Sequence, residues 1–396
     1  MARRIDPALL VILAGVTAAL HVGKLPPALP VLQQALGVTL VQAGFLLSLV
    51  QLAGMSLGLF IGLAADGLGL RRNMLAGLVL LGAASVFGGL VARAEMLLLW
   101  RSLEGLGFLL VVLPAPSLLR RLVAQRRLSI MLGVWGTYMP LGAALALLLG
   151  PWVLGVAGWE AWWWGLGALS LLMAAWLWRV VPPDAAQMHA GAEGWSSRLG
   201  QTLRASGPWL VALSFAMYSG QWLAVIGFLP MIYAEAQVAA GVSAVLTALV
   251  AAVNMLGNLA SGRLLARGVP AQRLLYTGFV VMGLGTLAAF GEHAGGPAPR
   301  FAAVLLFSMV GGMIPGTLFS LAVQLAPGER TVSTTVGWMQ QWSALGQFAG
   351  PPLVAWMASQ AGGWQVTWWI TGACSLIGLG LARQLGRAAR HKTELA

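Results

Sequence analysis

Polar and apolar residues segregate in this chain by whole segments rather than by alternate positions. Apolar runs of about 20 residues or more, each long enough to cross a bilayer as an α-helix, recur along it. They lie near 8–34, 41–65, 73–92, 95–119, 129–154, 159–181, 207–233, 241–266, 272–291, 299–325, 331–357 and 364–385. One long polar stretch, 182–206, holds Pro182, Pro183, Asp184, Glu193, Arg198 and Arg204 and parts the runs six and six. The pattern predicts an all-α membrane protein of twelve transmembrane helices. Its expected organisation is a six-helix bundle over 1–181, a cytoplasmic loop over 182–206 and a second six-helix bundle with a short basic tail over 207–396.

The halves repeat. Pro7 and Pro208, Pro30 and Pro230, and Gly62 and Gly262 stand 200 or 201 positions apart. Gly158-Trp159 with Trp163-Trp164 returns as Gly363-Trp364 with Trp368-Trp369, 205 positions on. Similar offsets in different segments predict a duplicated, pseudo-symmetric unit, and parallel six-helix repeats place a solute site near the midplane between them.

Composition fixes the solvent. The chain is 59% hydrophobic and 9% charged, against about 25% charged for a soluble domain. Its 52 glycines suit close helix approach in lipid. A net charge of +12 does not indicate nucleic acid, because the basic residues obey the positive-inside rule. With the N-terminus cytoplasmic, 19 of the 23 Lys and Arg residues fall inside; Arg93 and Arg300 fall outside, and Lys24 and Arg101 lie within spans. Both termini are thus expected in the cytoplasm of a bacterial-type inner membrane. The Trp-rich stretches 159–164 and 364–369 are expected at the outer interface. The first apolar run continues past residue 30 without a small-residue cleavage pattern and reads as a retained span. The single cysteine, Cys374, permits no intrachain disulfide and no cysteine metal cluster.

Two motifs carry a resemblance. The connector after the second run reads Gly62-Leu-Ala-Ala-Asp66-Gly-Leu-Gly69-Leu-Arg71-Arg72. It resembles the cytoplasmic signature G-x-x-x-D-(R/K)-x-G-(R/K)-(R/K) of the major facilitator superfamily, with Gly67 and Leu70 at two otherwise basic positions. Arg101-Ser-Leu-Glu104-Gly105-Leu-Gly107 resembles the family's R-x-x-x-G-x-G element in the fourth span. Pro116-Ser-Leu-Leu-Arg120-Arg121 and Leu132-Gly133-Val-Trp135 look like the cyanate and nitroimidazole permease branch. The resemblance implies the major facilitator fold, a secondary transporter, and a central cavity lined by spans 1, 4, 7 and 10. It also implies a conformational latch at Gly62, Asp66, Gly69 and Arg71, in which Asp66 accepts backbone N–H bonds at a helix start and pairs with an arginine.

The sharpest candidates are charges inside apolar runs. An ionised group there costs at least ~2.5–3.5 kcal/mol and usually marks a pathway. Lys24 and His21 share a face of span 1, and Arg101 and Glu104 share a face of span 4. Two cations and one carboxylate leave one positive charge over, which a monovalent anion would match. Lys24, Arg101 and His21 are therefore read as substrate-binding, and Glu104, with His21, as the proton-coupling group. Structural readings compete: Arg101 and Glu104 as a mutually neutralising pair, and Lys24 snorkelling to the interface. Tyr138, Tyr218, Gln221 and Trp338 are further substrate-contact candidates, with helix packing the alternative. Prolines in spans 1, 5, 7, 10 and 11 permit kinks suited to gating.

These residues predict alternating-access transport of a small solute, a small organic anion, coupled to protons. The alternative is an exporter of neutral or hydrophobic compounds. A membrane-embedded enzyme ranks below both: the four histidines and one cysteine form no nucleophile–base or metal set, and no G-x-x-x-x-G-K-(S/T) loop occurs. No catalytic residue, metal or cofactor is expected. The expected partners are the solute, protons and the lipid bilayer, and the expected state is a monomer.

Overall fold

Local chemistry starts the helices where the apolar runs begin. Asp6 caps the helix Pro7–Gly23, its carboxylate accepting the Ala8 N–H at 2.9 Å, with Pro7 in the first turn where no N–H is needed. Thr39 and Gln42 close a reciprocal capping box on Leu40–Ser48. A computed structural model describes residues 6–59, 69–124, 127, 131, 134–184, 195–291, 296–328 and 331–394. Among them every regular element is helical.

Ten helical segments among the described residues are long and apolar enough to cross a membrane: Pro7–Leu36, Leu40–Leu59, Leu70–Gly88, Ala94–Leu122, Tyr138–Val180, Ser206–Glu235, Ala240–Ala266, Ala271–Phe290, Pro297–Leu325 and Trp364–Arg390. Tyr138–Val180 is two helices joined across a break at Gly158, whose φ of 82° lies where only glycine is unstrained. That break falls between the runs expected at 129–154 and 159–181. The helix Val332–Ala361 is also 30 residues long but carries Gln340, Gln341 and Gln347 in its first 16 residues.

Three breaks shape the site. Pro26 and Pro27 offer no N–H to the carbonyls of residues 22 and 23, and the first segment divides at Lys24 into Pro7–Gly23 and Leu25–Leu36. The second segment tightens into a 3-10 turn at Leu49–Gln51. Ala94–Val112 gives way to Ala115–Leu122 around Pro114.

The early helices pack among themselves: 7–23 lies along 138–180, and 70–88 lies along both 94–112 and 138–180. Later helices do the same, 206–235 against 332–361, and 271–290 against 297–311 and 367–394. Contacts between the groups run through 40–48 on 332–361, 25–36 on 206–235, and 138–180 on 240–266. At one end this junction is sealed. Leu25, Leu29, Leu32, Leu46, Leu47, Phe228, Met231 and Val354 are buried in a single apolar cluster drawn from both groups.

Candidate functional site

The break at Lys24 assembles the charged residues. His21, Lys24, Arg101 and Glu104 are all 0–1% exposed and meet in one cluster. Glu104 bridges the two cations: Oε1 pairs with the Lys24 ammonium, and Oε2 accepts Arg101 Nη1 at 2.7 Å. Lys24 uses its other donors on Ser85 Oγ, at 2.9 Å, and His21 Nδ1, at 3.5 Å. His21 Nδ1 faces both Lys24 and, at 3.9 Å, Glu104 Oε1, and its Nε2 lies in hydrogen-bond contact with Ser170 Oγ, 2.8 Å away. The Trp163 ring lies under the ammonium, 4.4 Å from Nζ to centroid, a desolvated cation–π contact worth about 2 kcal/mol.

Arg101 ties the backbone at the Lys24 break to that at the 3-10 turn. Nη1 also donates to His21 O at 2.6 Å, one turn before the prolines, and Nε donates to Leu46 O at 3.1 Å, just before the 3-10 turn. Lys24 O accepts Trp162 Nε1 at 3.1 Å. Arg101 Nη2 is buried with no hydrogen-bond partner among the described residues. The glycines of the same motif serve packing. A Cβ on Gly105 would strike the Val50 backbone, and one on Gly107 would lie 2.7 Å from Leu81 N.

The structure thus brings together the four residues expected to meet, but in a sealed cluster rather than a wet crevice. Trp162 and Trp163, expected as outer-interface anchors, instead pack into it with 6% and 1% exposure. Ser85, Ser170, Trp162 and Trp163 are members that sequence reasoning missed; the two serines were legible only as isolated polar residues in apolar runs.

A cleft begins one turn from the cluster, at Phe108, four residues from Glu104 and thus ~6 Å along the helix axis. It encloses about 990 Å³ counted out to its mouth. Gln51, Trp135, Tyr138, Tyr218, Trp222, Asn254, Asn258, Gln340, Gln341 and Gln347 are among its lining, and among the described residues no charged one is. Tyr138 and Trp135 stack with ring centroids 4.4 Å apart. Asn254 donates to Tyr218 Oη at 3.0 Å and to Ser308 O at 2.8 Å, and Trp222 Nε1 donates to Ser308 Oγ at 3.1 Å.

Two expected contacts lie elsewhere. Gln221 turns away from the cleft: Oε1 accepts from Ser375 Oγ at 3.2 Å, and Nε2 donates to Met217 O. Trp338 packs edge-on against Trp209 and Trp342 instead of lining the cleft. The periodicity of a helix gives its faces but not which neighbour each face meets.

The Gln221–Ser375 bond has a partner in the first half. His21–Ser170 joins residues 200 and 205 positions earlier, the offsets of the sequence repeat. The same contact thus occurs twice. At every offset from 200 to 205, the positions related to Lys24, Arg101 and Glu104 fall in 224–229 and 301–309, which hold no charged residue.

At the opposite end of the early helices, Asp184 accepts the N–H groups of Arg71 and Arg72, each at 3.1 Å, and pairs with Arg121 Nη1 at 3.0 Å. Burial raises its carboxyl pKa, but these three donors outweigh burial and hold it below the usual value. Gly69 has φ 91°, and a Cβ there would meet the Asp184 carboxylate. Of the expected latch, Gly69 and Arg71 therefore converge on Asp184, a residue read only as part of the loop. Gly62 and Asp66 lie outside the described residues.

Comparison with known proteins agrees with this architecture. The cyanate transport protein CynX of Escherichia coli (strain K12) is 26% identical over 308 residues, 76% of this chain and 75% of that protein. A bacterial homologue of the human lysosomal transporter Spinster, inward-facing and unoccupied, superposes with a TM-score of 0.80 at 16% identity, over 99% of this chain and 98% of its own. The transporter FucP in its outward conformation gives 0.70 at 17% identity, over 96% and 99%. The family model of the Major Facilitator Superfamily matches residues 10–351. Folded as a multi-pass helical membrane protein around a cleft between two helix groups, the chain belongs to the Major Facilitator Superfamily.

Proposed function

We propose that the protein is a secondary transporter that moves a small organic anion by alternating access, with Glu104 as the proton-coupling carboxyl. Twelve transmembrane helices form two six-helix bundles, 1–181 and 207–396, joined by the loop 182–206. The single chain works in an inner membrane with both termini cytoplasmic. One observation carries the anion reading: Lys24 and Arg101 share a single carboxylate, so the buried cluster retains one unmatched positive charge. The internal repeat supports it, because the same helices pack in the second half without any of these charges. Similarity to a cyanate transport protein points to the same substrate class.

The lining runs from Gln51 to Gly58 and from Phe108 to Leu113, away from the apolar cluster around Leu46 and Leu47 and toward the end where Asp184 lies. With that end read as cytoplasmic, the arrangement is inward-facing. Solute entering this cleft meets amides and aromatic rings first and the charged cluster one turn beyond. The uncharged lining favours a second reading, export of a neutral solute.

Flux in proteoliposomes separates them. Uptake of cyanate, formate or acetate that disappears in Lys24→Met, while the variant still purifies as a monodisperse protein, supports anion transport. Flux of neutral compounds alone, unaffected by Lys24→Met, would replace it.

A further inference from the structure

Glu104 does more than neutralise its neighbours. Its carboxylate lies between Lys24 and Arg101 with one oxygen on each cation, which is the way a free carboxylate would bind them. The cations are positioned independently of it. Lys24 is fixed by Ser85, His21 and the Trp163 ring, and Arg101 by Leu46 O and His21 O. Removing the Glu104 side chain from this seat leaves a lined, doubly cationic socket. Arg101 Nη2 adds a buried donor that Glu104 does not satisfy. Glu104 is mounted on the same helix as Arg101, one turn before Phe108 at the cleft, so a rotamer change of its side chain, not a shift of the helix, exchanges socket for cleft.

We infer that Glu104 occupies, in this inward-open arrangement, the seat that a small monocarboxylate takes in another state, so that substrate and Glu104 compete for Lys24 and Arg101. The competition deepens the anion-transport reading and rests on it. It gives the inward-open state low affinity for the anion, since the internal carboxylate is tethered in place and drives release into the cleft. It also limits the ligand: the socket holds two cations a carboxylate's width apart and is closed by the Trp163 ring, which suits formate, acetate or propionate rather than a dianion.

Equilibrium binding of formate and acetate to the purified full-length protein tests this. Glu104→Gln removes the internal competitor and frees a charge-assisted contact on each cation, so it is expected to bind roughly tenfold or more tightly than the wild type. Glu104→Gln combined with Lys24→Met is expected to return to wild-type affinity or weaker. If Glu104→Gln is recovered folded only with added acetate, that dependence is itself the expected result. If it is not recovered at all, Glu104→Asp, whose shorter arm cannot span both cations, is expected to bind more tightly than the wild type. Wild-type anion flux combined with no gain of affinity in either variant overturns the competition and leaves the transport reading intact. No flux of any small anion by the wild type overturns the transport reading itself.

Discussion

Lys24 commits three N–H donors to Glu104, Ser85 and His21, and charge arithmetic ranks the consequences of altering the cluster. Lys24→Met leaves Arg101 and Glu104 as a neutral pair. Glu104→Gln leaves two cations buried without a counter-ion, which costs about 3–5 kcal/mol when one partner of a buried pair is removed. Thermal unfolding in detergent, without added anion, is therefore expected to show a much larger fall for Glu104→Gln than for Lys24→Met; equal falls would show that the cluster is not electrostatically coupled. On the same geometry His21 is expected to act by positioning its neighbours. Its repeat mate Gln221 makes the corresponding serine bond with an amide, so His21→Gln is expected to keep both flux and its pH profile. His21→Leu, which loses the Ser170 bond and the Nδ1 facing Lys24, is expected to lose flux. A pH profile altered by His21→Gln would make His21 a proton carrier instead.

Among elements, the start of the helix Leu70–Gly88 is held by a residue over one hundred positions away. Asp184 caps its first N–H groups and pairs with Arg121, joining three helix ends at one point. Gly69 makes room for that carboxylate and adopts a φ that other residues avoid. Gly69→Ala is expected to destabilise by at least the ~1–2 kcal/mol of a left-handed conformation, with the clash against Asp184 in addition. The capping stabilisation has a definite pH sign. The folded carboxyl pKa is depressed, so the contribution is complete above the unfolded pKa and is lost as pH falls through the lowered folded value. Hydrogen-exchange protection factors at residues 71 and 72, corrected for the intrinsic pH dependence of exchange, are expected to fall toward acid pH in the wild type and to be low already at neutral pH in Asp184→Asn.

At the level of the molecule, closure rests on small residues between the helix groups. Gly44 lies so near Pro352 that a Cβ would stand 2.9 Å from its Cα, inside the sealed end. Further along, Gln341 accepts Leu59 N–H at 3.1 Å and donates to Met55 O at 2.8 Å, bridging positions four apart on the facing helix, and Gln51 donates to Gln347 at 3.0 Å. These amide bonds reach across the junction at the depth of the cleft, where a pivot must lie if the ends open alternately. Gly44→Val is expected to wedge the sealed end apart. A cysteine placed at Leu29 in a background without Cys374 would then become reactive to a membrane-impermeant thiol reagent from the side opposite the cleft mouth. No gain in reactivity would show that the seal does not depend on that contact.

The linear order of residues determines most of this architecture. Bilayer-length apolar runs admit only helices as spans, because backbone groups in lipid must bond within their own segment. Lys24, Arg101 and Glu104 stand out for the same reason: nothing in an apolar run explains a charge. The repeat offsets also foretell that His21 and Gln221 occupy related places. What one-dimensional order does not contain is which distant groups complete each charge. Ser85 and Trp163 join Lys24, Ser170 joins His21, and Asp184 caps the Gly69–Arg72 turn, through contacts spanning more than sixty positions that depend on how helices stack. Enclosure of the charged cluster and the uncharged lining of the cleft beside it are likewise tertiary facts. Helical spacing sets the face on which Glu104 and Phe108 both lie, but the break at Lys24 and the packing of the neighbouring helices decide that one faces buried cations and the other open space.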